Sequence, residues 1–181
     1  LRCSPVLAWG RWDDLATALA EARERRVEGL MLKRRDAAYG VGRPRGVWWK
    51  WKVQPHAIDA VLVQAERGHG KRAGLFTDYT FAVWRGRELV PIAKAYSGLS
   101  NAELAEVDRF VRRHTTERHG PVSVVEPRRV FELAFERVQR STRHRAGLAV
   151  RFPRIVRPRP DKTPAEADHL ETLKAMLDEV A

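Results

Sequence analysis

Residues 57–95 read AIDAVLVQAERGHGKRAGLFTDYTFAVWRGRELVPIAKA. Three largely apolar runs, at 57–65, 80–84 and 88–95, stand between turns rich in glycine and arginine at 68–74 and 85–87. β-Branched and aromatic residues fit a pleated, half-buried surface, while glycine supplies the backbone freedom that tight reversals need. The stretch therefore predicts three consecutive strands in a meander. Immediately after it, Ser100 stands three residues before Glu103 as a capping box, and Leu104, Val107 and Val111 recur at helical spacing. That helix is expected to run to about Arg118 and to close at Gly120 and Pro121.

Two further strands are expected at 130–139 and 147–156. Five strands with one helix between the third and fourth predict a mainly β domain, a five-stranded OB-fold barrel with an inserted helix. A second capping box, Thr163 with Glu166, has Pro164 at the first helical position. It starts a C-terminal helix with Leu170, Leu173, Leu177 and Val180 on one side. Pro55 marks a boundary, giving an upstream unit of residues 1–54 and an OB-fold domain of residues 55–181. Upstream, Asp13 or Asp14 caps a helix to about Arg26, with Leu15, Ala18, Leu19 and Ala22 as its stripe. Strands follow at 27–33 and 47–53, joined by a Gly, Pro and Arg-rich loop at 36–46.

With 181 residues, 44% of them hydrophobic, the chain can bury one good core. Its 34 Lys and Arg against 23 Asp and Glu give a formal charge of +11, more than solubility requires, which points to a polyanionic partner. The charge lies in two patches: seven cations and one acid at 33–52, eight cations and one acid at 140–162. The segment after Thr163 is acidic and reads as a docking helix. Cys3, the single cysteine, excludes an intrachain disulfide framework and a cysteine-rich zinc site, and suits a cytoplasmic protein. The six histidines lack local metal-ligand spacing, and no apolar run has the length of a membrane span. A start at Leu1 with no signal-peptide pattern suggests a processed, truncated or partial product.

Residues 150–162, VRFPRIVRPRPDK, set five cations around one acid, with prolines pinning the backbone and Phe152, Ile155 and Val156 as expected anchors. Guanidinium forks and a mobile ammonium suit a phosphate clamp; a basic edge strand protected against pairing reads equally well. Residues 28–33, EGLMLK, place Glu28 beside a glycine at the start of an apolar strand and Lys33 at its end. Magnesium is commonly held by one or two carboxylates plus substrate phosphates, and Gly29 permits close approach. A surface Glu before a buried strand is the simpler reading of that segment alone. In residues 48–52, WWKWK, alternation puts Lys50 and Lys52 on one face and Trp49 and Trp51 on the other, with the tryptophans expected in the core. Two lysines side by side in a half-buried site call for an anion between them; a solvated face tolerates them.

Together these segments resemble a family. EGLMLK is similar to motif IV of the ATP-dependent DNA ligases, WWKWK to motif V and RFPRIVRPRPDK to motif VI, in that order. KAYSGLS at 94–100 and VFELAF at 130–135 also look like the ligase OB domain, and the bacterial type is the nearest in pattern. The resemblance implies that residues 1–54 end an adenylation (nucleotidyltransferase) domain and that residues 55–181 are its OB domain. It implies a monomer that uses ATP and Mg2+ or Mn2+ on nicked double-stranded DNA, in repair, replication or recombination. Glu28 would then hold the metal, Lys50 and Lys52 the α-phosphate, with Lys33 as a further nucleotide contact. Arg159, Asp161 and Lys162 match R-x-D-K and would orient the β and γ phosphates. Arg43, Arg45, Arg151 and Arg154 are candidate DNA contacts.

No K-x-D-G nucleophile motif is present in the chain, so it is expected to be inactive alone and to need the N-terminal part of the adenylation domain. Two alternatives stand beside this reading: a non-catalytic OB-fold module gripping nucleic acid by charge and stacking, and a related RNA ligase or capping nucleotidyltransferase. RFPR followed by R-x-D-K favours the DNA enzyme.

Overall fold

A computed structural model describes residues 6–25, 27–38, 40–42, 45–68, 70 and 73–178. The chain divides into two compact units, with the break between Gln54 and Pro55.

The first unit comprises helix α1 (Trp12–Ala20) and the antiparallel strands β1 (Gly29–Lys33) and β2 (Trp48–Lys52). Helix α1 starts earlier than expected. Asp14 lies inside its first turn, where one carboxylate oxygen accepts the N–H groups of Gly10 and Arg11 at 2.9 Å each, holding that carboxyl below its usual range. The helix stops at Ala20, short of the expected end; Arg26 itself lies outside the described residues. Gly29 sits at φ +133, and a Cβ there would come within 2.2 Å of the Trp51 carbonyl oxygen, so β1 approaches β2 at a distance only glycine permits. The tryptophans depart from expectation: Trp48 and Trp49 are 54% and 49% exposed. A two-stranded ribbon beside one nine-residue helix has too little neighbouring structure to cover both of its faces.

The second unit contains strands β3 (His56–Arg67), β4 (Phe76–Arg85) and β5 (Glu88–Ala95), then helix α2 (Asn101–His114). Strands β6 (Thr115–His119), β7 (Val122–Val125), β8 (Val130–Phe135), β9 (Arg137–Arg140), β10 (Leu148–Arg151) and β11 (Arg154–Pro158) follow. A 3-10 turn (Pro164–Glu166) and helix α3 (Leu170–Asp178) end the described chain. The main sheet runs β11-β8-β3-β4-β5, the curled five-strand path expected of an OB fold. Register shifts within the β3–β4 and β4–β5 pairs supply the local bending that curls a sheet. Leu62, Phe81, Phe131, Leu133, Phe135 and Ile155 fill the interior, closed by Val107 and Val111 of α2 and by Leu170 and Leu173 of α3.

Four expectations need correction. Helix α2 ends at His114 rather than near Arg118, because β-branched Thr115 and Thr116 open a hairpin that turns at Gly120 and Pro121 into β7. The Thr115 hydroxyl donates to the Val111 carbonyl at 2.6 Å, satisfying a helix-end acceptor. The strands expected at 130–139 and 147–156 each divide in two, so that β9 and β10 form a ribbon of their own while β11 returns to β8. The second division falls at Phe152, which has φ +53 and is 60% exposed; Val156 is exposed as well, and of the three expected anchors only Ile155 is buried. Finally, the Thr163–Glu166 box caps the 3-10 turn, not α3. The chain leaves helical conformation at Ala167, and α3 begins at Leu170. Val180 of the expected stripe lies outside the described residues. None of the described helices is long and apolar enough to cross a membrane.

Gly98 ties the segment after β5 to β11. It adopts φ +114, and a Cβ would stand 1.7 Å from the Ile155 carbonyl oxygen, while Ile155 N–H donates to the Ser97 carbonyl at 2.9 Å. Residues 97–98 therefore lie backbone to backbone against the strand that leads into the R-x-D-K turn.

Candidate functional site

In the first unit, pairing of β1 with β2 sets Gly29 opposite Lys52, and the Val53 N–H donates to the Glu28 carbonyl at 3.2 Å. The ladder thereby brings Lys52 Nζ to 3.4 Å from a Glu28 carboxylate oxygen, with the side chains 43% and 67% exposed. An exposed pair of this kind contributes little and exchanges readily for another partner. Lys50 is exposed, lies two residues from Lys52 on the same strand face, and has no carboxylate partner among the described residues. Lys33 Nζ sits 4.5 Å from the centre of the Trp48 ring. Arg45 is exposed in the connecting loop; Arg43 lies outside the described residues.

The donor set bears on the metal. Among the described residues no three or more His, Cys, Asp and Glu side chains cluster in a metal-binding arrangement. Glu28 is therefore one carboxylate that fits a hard divalent ion only if phosphate oxygens and water complete the shell, the usual magnesium arrangement.

In the second unit, β11 leads into a turn closed by Lys162 N–H donating to the Arg159 carbonyl at 3.2 Å and held to β8 by Arg159 N–H donating to the Val130 carbonyl at 2.9 Å. Asp59, near the start of β3, is the centre of the cluster. Arg159 Nη1 donates to both Asp59 carboxylate oxygens at 3.0 Å, and Lys162 Nζ lies 2.6 Å from one of them. On its other edge Arg159 grips Asp161 through Nε at 3.0 Å and Nη2 at 2.8 Å. Glu132 on β8 takes Arg157 at 2.8 Å and stands 3.9 Å from Arg159. Arg159 is thus largely covered, at 16% side-chain exposure.

The segment beyond the turn is clamped to the same strand. Asp59 N–H donates to the Asp168 carboxylate at 2.7 Å, and Asp168 N–H donates back to the Asp59 carbonyl at 2.8 Å. Trp84 indole N–H donates to the Pro164 carbonyl at 2.7 Å. These contacts set the electrostatics. Hydrogen bonding to Arg159 pulls the Asp161 carboxyl down to about 2; Asp161, then Asp59, holds the Arg159 guanidinium above its ordinary range; and Asp59 raises the Lys162 ammonium. Two cations converging on one carboxylate oxygen offer what a phosphate oxygen requires. A shallow depression lined by Ala57, Ile58, Asp59, Glu132, Arg159 and Asp168 opens beside them.

The structure thus brings Arg159, Asp161 and Lys162 together in one unit, and Glu28 and Lys52 together in the other. Sequence reasoning missed Asp59. Its signal was an acid inside the apolar run AIDAVLV of an expected strand, a place where carboxylates are scarce unless paired. Arg151 and Arg154, at the ends of β10 and β11, are exposed; the Arg151 guanidinium lies 4.8 Å from the Phe152 ring centre.

Comparison with known proteins agrees with this architecture. Residues 72–162 match the family described as ATP dependent DNA ligase C terminal region. The chain is 50% identical over 159 residues to a probable DNA ligase of Koribacter versatilis, covering 88% of this chain and 28% of that protein. It is 44% identical over 176 residues to a probable DNA ligase of Opitutus terrae, covering 96% of this chain and 17% of that protein. The crystal structure of the ligase domain of Mycobacterium tuberculosis LigD superposes with a TM-score of 0.55 at 24% identity, over 84% of this chain and 50% of that one, a likeness of fold. The chain spans less than a third of the length of either curated relative.

Proposed function

This chain belongs to the family of ATP-dependent DNA ligase C-terminal regions, and on that basis we propose that it is the C-terminal part of an enzyme that seals nicks in double-stranded DNA. The family match over residues 72–162, which takes in the whole R-x-D-K turn, carries this reading. Residues 1–54 close an adenylation domain, and residues 55–181 are its OB domain. AMP passes from ATP to a lysine outside this chain with loss of pyrophosphate, then to a DNA 5′-phosphate, and is displaced when the neighbouring 3′-hydroxyl attacks. Each step is in-line displacement at phosphorus, where the protein supplies position and charge neutralisation. Acting as a monomer in the cytoplasm, the enzyme serves DNA repair, replication or recombination.

Lys50 and Lys52 neutralise the α-phosphate, and Lys33 adds a third cation on the same ribbon. Lys52 leaves Glu28 to do so, which frees that carboxylate for a magnesium or manganese ion that offsets phosphate charge when bound. Arg159 and Lys162 exchange the Asp59 carboxylate for the β and γ phosphate oxygens, while Asp161 keeps its grip on Arg159 and so fixes the plane of the guanidinium. Arg151 and Arg154, together with Arg43 and Arg45, meet the DNA backbone.

Two measurements test this. The 181-residue chain incubated with radiolabelled ATP and magnesium should form no covalent adenylate, since K-x-D-G is absent from it; labelling would sink the assignment. In the complete enzyme, Lys162→Ala should slow enzyme adenylation by on the order of 100-fold or more, the scale on which loss of one charge-stabilising donor acts. Sealing of pre-adenylated DNA should be spared. A defect confined to DNA binding, equal to that from losing any other cation, would favour a non-catalytic OB-fold module instead.

A further inference from the structure

We propose that Asp59 is a specificity-determining residue: its carboxylate competes with phosphate for Arg159 and Lys162, keeping free inorganic pyrophosphate off them while yielding to phosphates carried on a bound nucleotide. The identity of the anion rests on the ligase reading; the competition rests on the geometry of the cluster. Asp59 offers both oxygens to Arg159 Nη1 at 3.0 Å and one of them to Lys162 Nζ at 2.6 Å. These are the donors that a phosphate oxygen takes, and they cannot serve both acceptors at full strength.

Removing the two cations from Asp59 is costly. Its side chain is 10% exposed, and a nearly buried charge stripped of its partners has little water to replace them. Asp59 also stands directly opposite Glu132 in the antiparallel β3–β8 pair, where like charges repel. Arg159, 3.0 Å from one carboxylate and 3.9 Å from the other, offsets that repulsion for as long as it stays. Approach is unfavourable as well. The depression beside the turn is lined by the carboxylates of Asp59, Glu132 and Asp168 together with Arg159, so a free anion meets more negative charge than positive. The exchange itself needs no movement of the main chain. Asp59 N–H and carbonyl stay bonded to Asp168 at 2.7 and 2.8 Å, and Arg159 N–H to the Val130 carbonyl at 2.9 Å.

Displacing Asp59 costs the same for either anion; what differs is concentration at the site. Phosphates of a nucleotide already held by the enzyme act at an effective concentration on the order of millimolar or above, whereas free pyrophosphate acts only at its bulk concentration. A threshold set by Asp59 therefore passes the first and stops the second. Pyrophosphate formed by adenylation is not retaken once it leaves, because the carboxylate has reclaimed both cations.

The test is isothermal titration of the 181-residue chain with sodium pyrophosphate at constant ionic strength, comparing wild type, Asp59→Asn and Asp59→Asn/Lys162→Ala. Asp59→Asn keeps the shape of the side chain and removes its charge. It should bind pyrophosphate about tenfold more tightly or better, the ratio expected when the competitor leaves the cations available in a tenth or less of wild-type molecules. The double variant should lose that gain. In the complete enzyme carrying a covalent adenylate, re-formation of ATP should half-saturate at a correspondingly lower pyrophosphate concentration in Asp59→Asn. Equal affinity of wild type and Asp59→Asn, or an equal gain in the double variant, overturns the inference. Should Asp59→Asn fail to fold, the wild-type chain still decides: a dissociation constant for pyrophosphate below about 0.1 mM, well under the effective concentration of tethered phosphates, overturns it too. None of these results touches the ligase reading, which stands or falls separately on whether the complete enzyme forms a covalent adenylate from ATP.

Discussion

At the scale of single residues the chemistry gathers around Asp59, a carboxylate 10% exposed that takes Arg159 and Lys162 together. The cations were legible in the sequence because R-x-D-K is a local pattern. Their partner was not, because Asp59 lies 100 residues before Arg159 and only the pairing of β3 with β8, and of β8 with β11, brings them together. The same pairing explains why Arg159 is covered. Asp161 supplies a pH prediction. Its folded-state carboxyl is held at about 2, below its ordinary value, so its contribution to stability is complete above about pH 4 and is lost as pH falls toward 2. Asp161→Asn should therefore lower the urea midpoint at pH 7, and the gap to wild type should close as pH falls through that window. A gap that persists at pH 2 would show that the carboxylate charge is not what matters.

At the scale of elements, local signals served well where they were complete. The Ser100–Glu103 box caps α2 as expected, with Ser100 N–H donating to the Glu103 carboxylate at 2.8 Å, and the alternating runs of residues 57–95 became β3, β4 and β5. They failed where tertiary pairing decides an end. A continuous strand and a strand broken at Glu136 look alike in sequence, because the break depends on β9 finding β10 instead of β3. The junction of residues 97–98 with β11 gives a sharp test. A Cβ at Gly98 would collide with main-chain atoms of Ile155 that have no side chain to move, on a backbone conformation that L residues rarely adopt. Gly98→Ala should cost about 2–3 kcal/mol in chemical denaturation of the chain. A cost below about half a kcal/mol would mean that β11 can shift away, and that the turn it carries is set by other contacts.

At the scale of the whole molecule, the core and the aromatic residues are distributed differently. The second unit buries five of its six phenylalanines and packs Leu133 fully buried among them, so Leu133→Ala should cost about 2–5 kcal/mol in a urea titration followed by far-ultraviolet circular dichroism. Five of the six tryptophans lie in residues 1–54, and Trp9, Trp12, Trp48 and Trp49 are all at least 46% exposed. Tryptophan emission should accordingly be red-shifted and readily quenched by acrylamide in the wild-type chain and little altered in the Leu133→Ala variant, because it reports chiefly on the other unit. The Asp59 clamp has a consequence of another kind. It acts as a noncovalent staple between the first and last strands of the second unit, and the Gly120–Pro121 reversal lies midway along the chain it closes. A polypeptide cut at that reversal leaves β3 on one fragment and β8 and β11 on the other, joined by a sheet ladder and by three buried or half-buried charges, so the two halves are suited to reassemble as a split protein.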